Sequence, residues 1–179
     1  MAHEPNEFQK FSAPPACIPQ SSLTFIQRAT LKGLSGLAQT GGVRGLGAGL
    51  AGAFSPPNGP GGNVGPGGGG SFQALWMADY IGHAGLYLSA NVGPTVGEKG
   101  LGWIFGIQYM TSTLNATVMA QDVVNSNISV GAAGADVLGA GIDYSPQTKV
   151  ITGTIGFGAG GWGGTSSLNL GSVFISVCK

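Results

Sequence analysis

The sequence predicts an all-β protein, a compact antiparallel eight-stranded barrel behind an arm that starts disordered and turns helical. Three observations predict it. From residue 71 onward, apolar and other residues alternate with period two, as in Leu101, Trp103, Phe105, Ile107 and Tyr109. That period marks strands with one buried face. The runs are short and separated by turn chemistry: Gly-Pro, Gly-Glu-Lys-Gly and Ser-Pro-Gln-Thr. Eight short strands at such spacing fit a barrel or a sandwich, and barrel closure removes edges that would otherwise invite aggregation. Glycine fills 35 of 179 positions, against about 7% in an average chain. It recurs inside strand-like runs, as at Gly106, Gly141, Gly153 and Gly156, where it suits tight coiling and close sheet approach.

In chain order, residues 1–20 carry four prolines and no periodicity, so they read as disordered. A helix is expected over residues 22–38, with Ser21 and Ser22 as N-cap candidates. Leu23, Ile26, Leu34 and Leu37 recur at helical steps, Leu31 among them, and Arg28 and Lys32 stand four apart on another face. A basic amphipathic helix of this kind binds interfaces. A helix that docks on or plugs the following domain is the favoured reading of the segment by itself. Gly41, Gly45 and Gly49 fall four apart, a small-residue spacing seen between membrane helices. Glycine this dense breaks helices in water, so the segment up to residue 54 is expected to be an apolar loop. Residues 55–70, SPPNGPGGNVGPGGGG, read as a linker. The expected domains are therefore an arm (1–54), a linker (55–70) and a barrel (71–179).

Within the barrel the expected runs begin at residues 72, 85, 101, 114, 126, 136, 149 and 167. The last two are expected to form a hairpin. Its glycine-rich turn would hold Gly158, Gly160, Gly161, Trp162, Gly163 and Gly164; glycine there can take backbone angles closed to other residues.

The chemistry is mostly exclusion. Seven basic and seven acidic residues give zero formal charge, and 8% of residues are charged. That excludes a nucleic-acid partner, which needs clustered Lys and Arg, and favours lipid, protein partners or assembly. Up to residue 54, Glu4 and Glu7 face Lys10, Arg28, Lys32 and Arg44; after residue 70, five acids face three lysines. The opposite signs suggest that the arm lies against the domain or that the two parts meet different surfaces. No run reaches the roughly 20 apolar residues of a spanning helix. The polar start lacks a secretory signal pattern, which leaves a cytoplasmic protein or one exported by another route. Cys17 and Cys178 could close nearly the whole chain in an oxidising compartment but read as free thiols. With His3 and His83 they make no metal-ligand spacing, and no cofactor is expected. Gly47 to Gly52 and Gly156 to Gly161 fit G-x-G-x-x-G but lack the surrounding βαβ unit. Asn115 and Asn127 head glycosylation-type triplets that read as chance.

Asp79 and His83, four apart and near Tyr87 and Ser89, read as a surface His beside an acid rather than part of a triad. Asp136 and Asp143 read as turn residues rather than an acid pair. Trp76, Trp103, Phe105 and Tyr109 read as core, with a ligand-cavity lining as the alternative. No enzyme is expected.

The stretch GADVLGAGIDYSPQTKVITGTIGFGAGGWGGTSS resembles the end of the virulence-associated (Vap) proteins of actinobacterial pathogens, through Gly139, Asp143, Gly153 and Gly160 to Trp162. The resemblance implies a Greek-key barrel of eight strands after a disordered segment, no enzymatic activity, no obvious ligand pocket and action on host membranes. The leading expectation is thus a non-enzymatic barrel at a membrane surface, contacting lipid through Leu23, Ile26, Arg28, Leu31, Lys32, Leu34 and Leu37. The alternative is a self-assembling protein whose arm packs on neighbouring subunits.

Overall fold

The computed structural model describes residues 17–112 and 115–179. The expected disorder before Cys17 and the expected strand position of Leu114 lie outside them. The chain is all-β and antiparallel, with six strands among the described residues: β1 (Val43–Ser55), β2 (Val64–Asp79), β3 (Ala84–Glu98), β4 (Gly100–Thr111), β5 (Ile128–Ser145) and β6 (Val150–Ser176). Their order is β3-β2-β1-β4-β6-β5, and β3 also pairs with β6, which closes the sheet into a ring. Among the described residues two α-helices accompany it, α1 (Phe25–Ala38) and α2 (Ala120–Val124), with a 3-10 turn at Gln20–Ser22.

The 27-residue strand β6 makes the closure possible. Its first part, Ile151 to Ala159, pairs with β4, and its last part, from Gly163 to Ser176, pairs with β3. Between them Gly160 and Gly161 take φ of 107° and 70°. These left-handed angles re-aim the strand at little cost only for glycine. The glycine stretch from Gly158 to Gly164 is therefore a bend inside one strand and not the expected hairpin turn. The true hairpin joins β5 to β6 through residues 146–149, where Lys149 N–H donates to Ser145 O at 2.8 Å. β5 runs beside β6 with a bulge between Ala135 and Val137, opposite the glycine bend. Four of the expected runs thus merge into two bent strands.

The barrel also begins earlier than expected. Residues 43–55 form β1, and β2 takes in Val64 to Gly70, so a loop and most of a linker are replaced by sheet. Gly45 and Gly49 fit this as well as a helix, because a four-residue step is two strand periods, and Gly41 lies in the turn before the strand at φ 116°. The run expected from residue 114 is not a strand: Asn115 to Met119 is irregular and leads into α2. Val118, Ala120 and Val123 plug one end of the ring, packing in a cluster with Val43, Leu75, Met77, Tyr87, Met110 and Val150.

α1 is capped by Thr24 and not by Ser21 or Ser22. The Thr24 hydroxyl accepts from Gln27 N–H at 3.2 Å, and Thr24 N–H donates to Gln27 Oε1 at 2.9 Å, a reciprocal capping box. The helix packs outside the ring, Leu34 and Ala38 meeting Ala78, Trp76 and Ala84. Cys17 and Cys178 are joined as a disulfide, with Cα atoms 4.9 Å apart, which corrects the free-thiol expectation. The pairing follows from position: Ile18 N–H donates to Ser176 O and Cys178 N–H to Ile18 O, so the two ends of the described chain run side by side.

Candidate functional site

Two surfaces stand out, and neither is the face of α1 that the sequence points to. Of the seven residues expected to contact lipid, Leu23, Leu31 and Leu34 are buried. Arg28 and Lys32 are exposed on the opposite side, and Ile26 and Leu37 are exposed at 74% and 51%. Leu31, Leu34 and Ala38 of the helix turn toward the ring, while Phe25, Ile26 and Leu37 stay exposed, so docking covers part of its apolar surface.

The first surface is the outer wall of the ring. Outward positions of neighbouring strands are aligned by the register. Phe72, Leu50, Phe105, Phe157 and Leu138 form one row across five strands. One step along lie Ala74, Ala48, Ile107, Ile155 and Ala140, and after them Trp76, Leu46, Tyr109, Gly153 and Ile142. On the other side are Trp103 beside Gly52 and Ala159, then Phe54 beside Leu101 and Gly68. No charged side chain interrupts these five rows; Arg44 stands just beyond them. Phe105, Ile107, Ile155, Phe157 and Leu101 are all more than half exposed. Trp103, Phe105 and Tyr109 thus face outward and are not core, although Trp103 also borders a cavity at the end of the ring. Where α1 covers the wall, at Trp76 and Ala78, it does so with leucine and alanine.

The second surface is the interior, and its polarity is inverted relative to the wall. Beyond the plugged end, inward positions carry Gln73, Ser89, Thr95, Gln108, Thr152 and Thr154, all buried. Ser89 Oγ donates to Gln73 Oε1 at 3.3 Å, Gln108 Nε2 to Thr154 Oγ1 at 3.1 Å and Asn91 Nδ2 to Ser71 Oγ at 3.3 Å. Glycines make the room: a Cβ on Gly49 would strike the Gln108 amide, and one on Gly131 the Asp143 carboxylate. Asp143 lies within β5 and faces inward, so it is no turn residue, and burial pushes its carboxyl up to about 6. Asp136 sits apart and exposed, at the bulge of β5, so the two acids do not pair.

Asp79 and His83 do meet, as their spacing allows. His83 Nδ1 lies 2.8 Å from Asp79 Oδ2, which also accepts from Ala120 N–H at 2.9 Å. Oδ1 accepts from the N–H groups of Ile81, Gly82 and His83. Burial works to raise the Asp79 pKa, but the hydrogen bonds from Ala120 and His83 outweigh it and hold the carboxyl below its ordinary value. His83 is the surface histidine expected, half of its side chain exposed, and the acid beside it is buried. This carboxylate ties the β2–β3 turn to the plug. Tyr87 and Ser89, near it in sequence, point into the barrel and make no hydrogen bond to His83 among the described residues. The arrangement clamps two loops and lacks a nucleophile aligned with the imidazole.

Sequence alone hid the outer wall because an alternating strand does not say which face turns inward. The signal that could have found it was the type of residue on the other face: Gln73, Gln108, Thr152 and Thr154 share it with glycine and with the apolar Leu75, Met77 and Met110.

No family model matches the chain, and no curated protein matches it in sequence. Among solved structures, the virulence-associated protein VapB from the intracellular pathogen Rhodococcus equi is similar over 72% of this chain and 98% of its own, at 10% identity and a TM-score of 0.37. This is a weak similarity at the level of the fold.

Proposed function

We propose that this protein is a non-enzymatic barrel that seats its outer wall in the apolar phase of a lipid membrane. The observation that carries the reading is the five uncharged rows from Phe54 and Leu101 to Leu46 and Tyr109, open to the surroundings on adjacent strands. Soluble monomers seldom expose contiguous apolar patches beyond a few hundred Å². Eight residues separate Leu101 from Tyr109, roughly 27 Å along a strand. Strands of membrane barrels tilt by about 35–45°, so this stretch would rise roughly 20 Å through an apolar band of about 25 Å; their interior side chains are polar, as they are here beyond the apolar plug. The disulfide fits a compartment that keeps thiols oxidised. Lipid contact thus rests on the wall and not on the basic face of α1, so it should not require anionic lipid.

Vesicle flotation of the full chain tests this. Flotation with neutral phosphatidylcholine, abolished in the Phe105→Glu/Phe157→Glu double variant, is the expected result. Both positions are exposed, so circular dichroism should report an unchanged fold. A wild type that stays with the soluble fraction and sediments as large assemblies would replace lipid with a second copy as the wall's occupant.

A further inference from the structure

We propose that the barrel interior is a binding site for a small protonated amine, with the Asp143 carboxylate as its counter-charge. The inference is independent of what covers the outer wall.

Two cavities occupy the interior, of about 110 and 60 Å³. Both are lined by Ser71 and Asp143, which stand between them. A single water needs roughly 10–15 Å³ on this measure, so the larger has room for a ligand of several non-hydrogen atoms. It reaches the surface beside Glu98, whose carboxylate lies over Gly161.

The lining selects charge. Asp143 and Glu98 are acids, Tyr87 is the other titratable group, and no Lys, Arg or His lines either cavity. No protein hydrogen bond reaches the Asp143 carboxylate among the described residues. A carboxylate set in such a place is costly unless something pairs with it.

The lining also supplies unused hydrogen-bonding capacity. Thr95 Oγ1 and Thr148 Oγ1 are buried without a partner. Thr95 is 4% exposed and lines the larger cavity; Thr148 is 7% exposed and lines the smaller. Buried hydroxyls are ordinarily satisfied, so both point to an occupant. Ser71, Asn91 and Asn169 add oxygens that accept N–H donors. An ammonium has three such donors and one charge. A divalent metal ion wants several carboxylates, and no cluster of three His, Cys, Asp or Glu occurs among the described residues.

Calorimetric titration of the full chain with butylammonium at about pH 8, where amine and carboxylate are both charged, tests the proposal, with 1-butanol as the neutral isostere. Saturable binding of the amine and none of the alcohol is expected. Asp143→Asn should weaken it at least about tenfold. Thr95→Val, isosteric and lacking the hydroxyl, should weaken it a few-fold and guards against an Asp143 variant that fails to fold. Equal binding of alcohol and amine, no amine binding at all, or a folded Asp143→Asn variant with unchanged affinity would each overturn the proposal.

Discussion

Buried Asp79 and part-buried Asp143 oppose one another in their effect on stability. Asp79 has a lowered pKa, so its contribution is present above the unfolded value near 3.8 and is lost as pH falls through the folded one. Asp143 is raised to about 6, so its contribution is complete below the unfolded value and is lost as pH rises through 6. Thermal unfolding midpoints should therefore peak near pH 4, decline between about pH 4 and 6, and level off toward neutrality. Asp143→Asn should abolish the neutral-side decline and stabilise the protein at neutral pH by up to about 3 kcal/mol, the worth of roughly two pKa units. A variant profile parallel to the wild type would show that another group causes the decline. Val137 is a second strained residue. It is β-branched, holds φ at 75° in the β5 bulge and is 73% exposed. Val137→Gly removes a left-handed cost of about 1–2 kcal/mol against about 0.5–1 kcal/mol of added chain entropy. Denaturant titration should show the variant unchanged or slightly more stable, although its side chain is deleted.

At the scale of the element, β6 depends on one residue. Gly160 has φ of 107°, and a Cβ there would collide with the Gly102 backbone. Gly160→Ala should cost about 3 kcal/mol, since neither backbone can yield without opening the β4–β6 ladder; a loss under about 1 kcal/mol would mean that the bend is not fixed by this contact. Gly161→Ala meets the flexible end of Glu98 instead and should cost less. The same geometry explains what sequence could and could not convey. Alternation in Leu101 to Tyr109 and in Val150 to Phe157 was enough to name strands and an antiparallel all-β fold. A strand break and a strand bend both use glycine, so Gly158 to Gly164 read as a turn, and the count of eight runs followed. β1 stayed hidden because Gly45, Gly47 and Gly49 fill its inward positions, where small size lets the chain approach Leu75 and Gln108. Composition marks such a segment as a loop, although its outward residues Leu46, Leu50 and Phe54 keep the period. The face of α1 that binds was legible from Leu31 and Leu34, but its partner, Trp76 and Ala78 on the outer wall, is set by tertiary packing. In the interior site, Asp143 was visible as a residue and invisible as a part-buried one, because the glycine that admits it, Gly131, lies on the same strand but twelve residues away.

At the scale of the whole molecule, the ring is closed three times: by β6 bridging β4 and β3, by α2 and Val118 plugging one end, and by the Cys17–Cys178 disulfide. The third closure differs in kind. It spans 161 residues, so it restricts nearly the whole unfolded chain while touching little of the folded core. On the chain-entropy account a loop of this length is worth about 5 kcal/mol. The folded state should then survive reduction locally, because the β ladders and the plug do not pass through the sulfurs. What is released first is the arm: Ile18 holds the chain end by backbone hydrogen bonds to Ser176 and Cys178, and α1 is held by Leu31, Leu34 and Ala38 alone among its buried residues. Cys17→Ser/Cys178→Ser should lower the denaturant midpoint by an amount equivalent to about 3–5 kcal/mol, with faster amide exchange confined to α1 and the last residues of β6. Exchange that accelerates equally in β1, β2 and β4 would show instead that the disulfide holds the ring itself. Undocking α1 would uncover Trp76 and Ala78 and extend the apolar wall by the patch the helix now covers. The double variant should therefore float with neutral vesicles at least as well as the wild type if the wall is the lipid-contacting surface, and worse if α1 is.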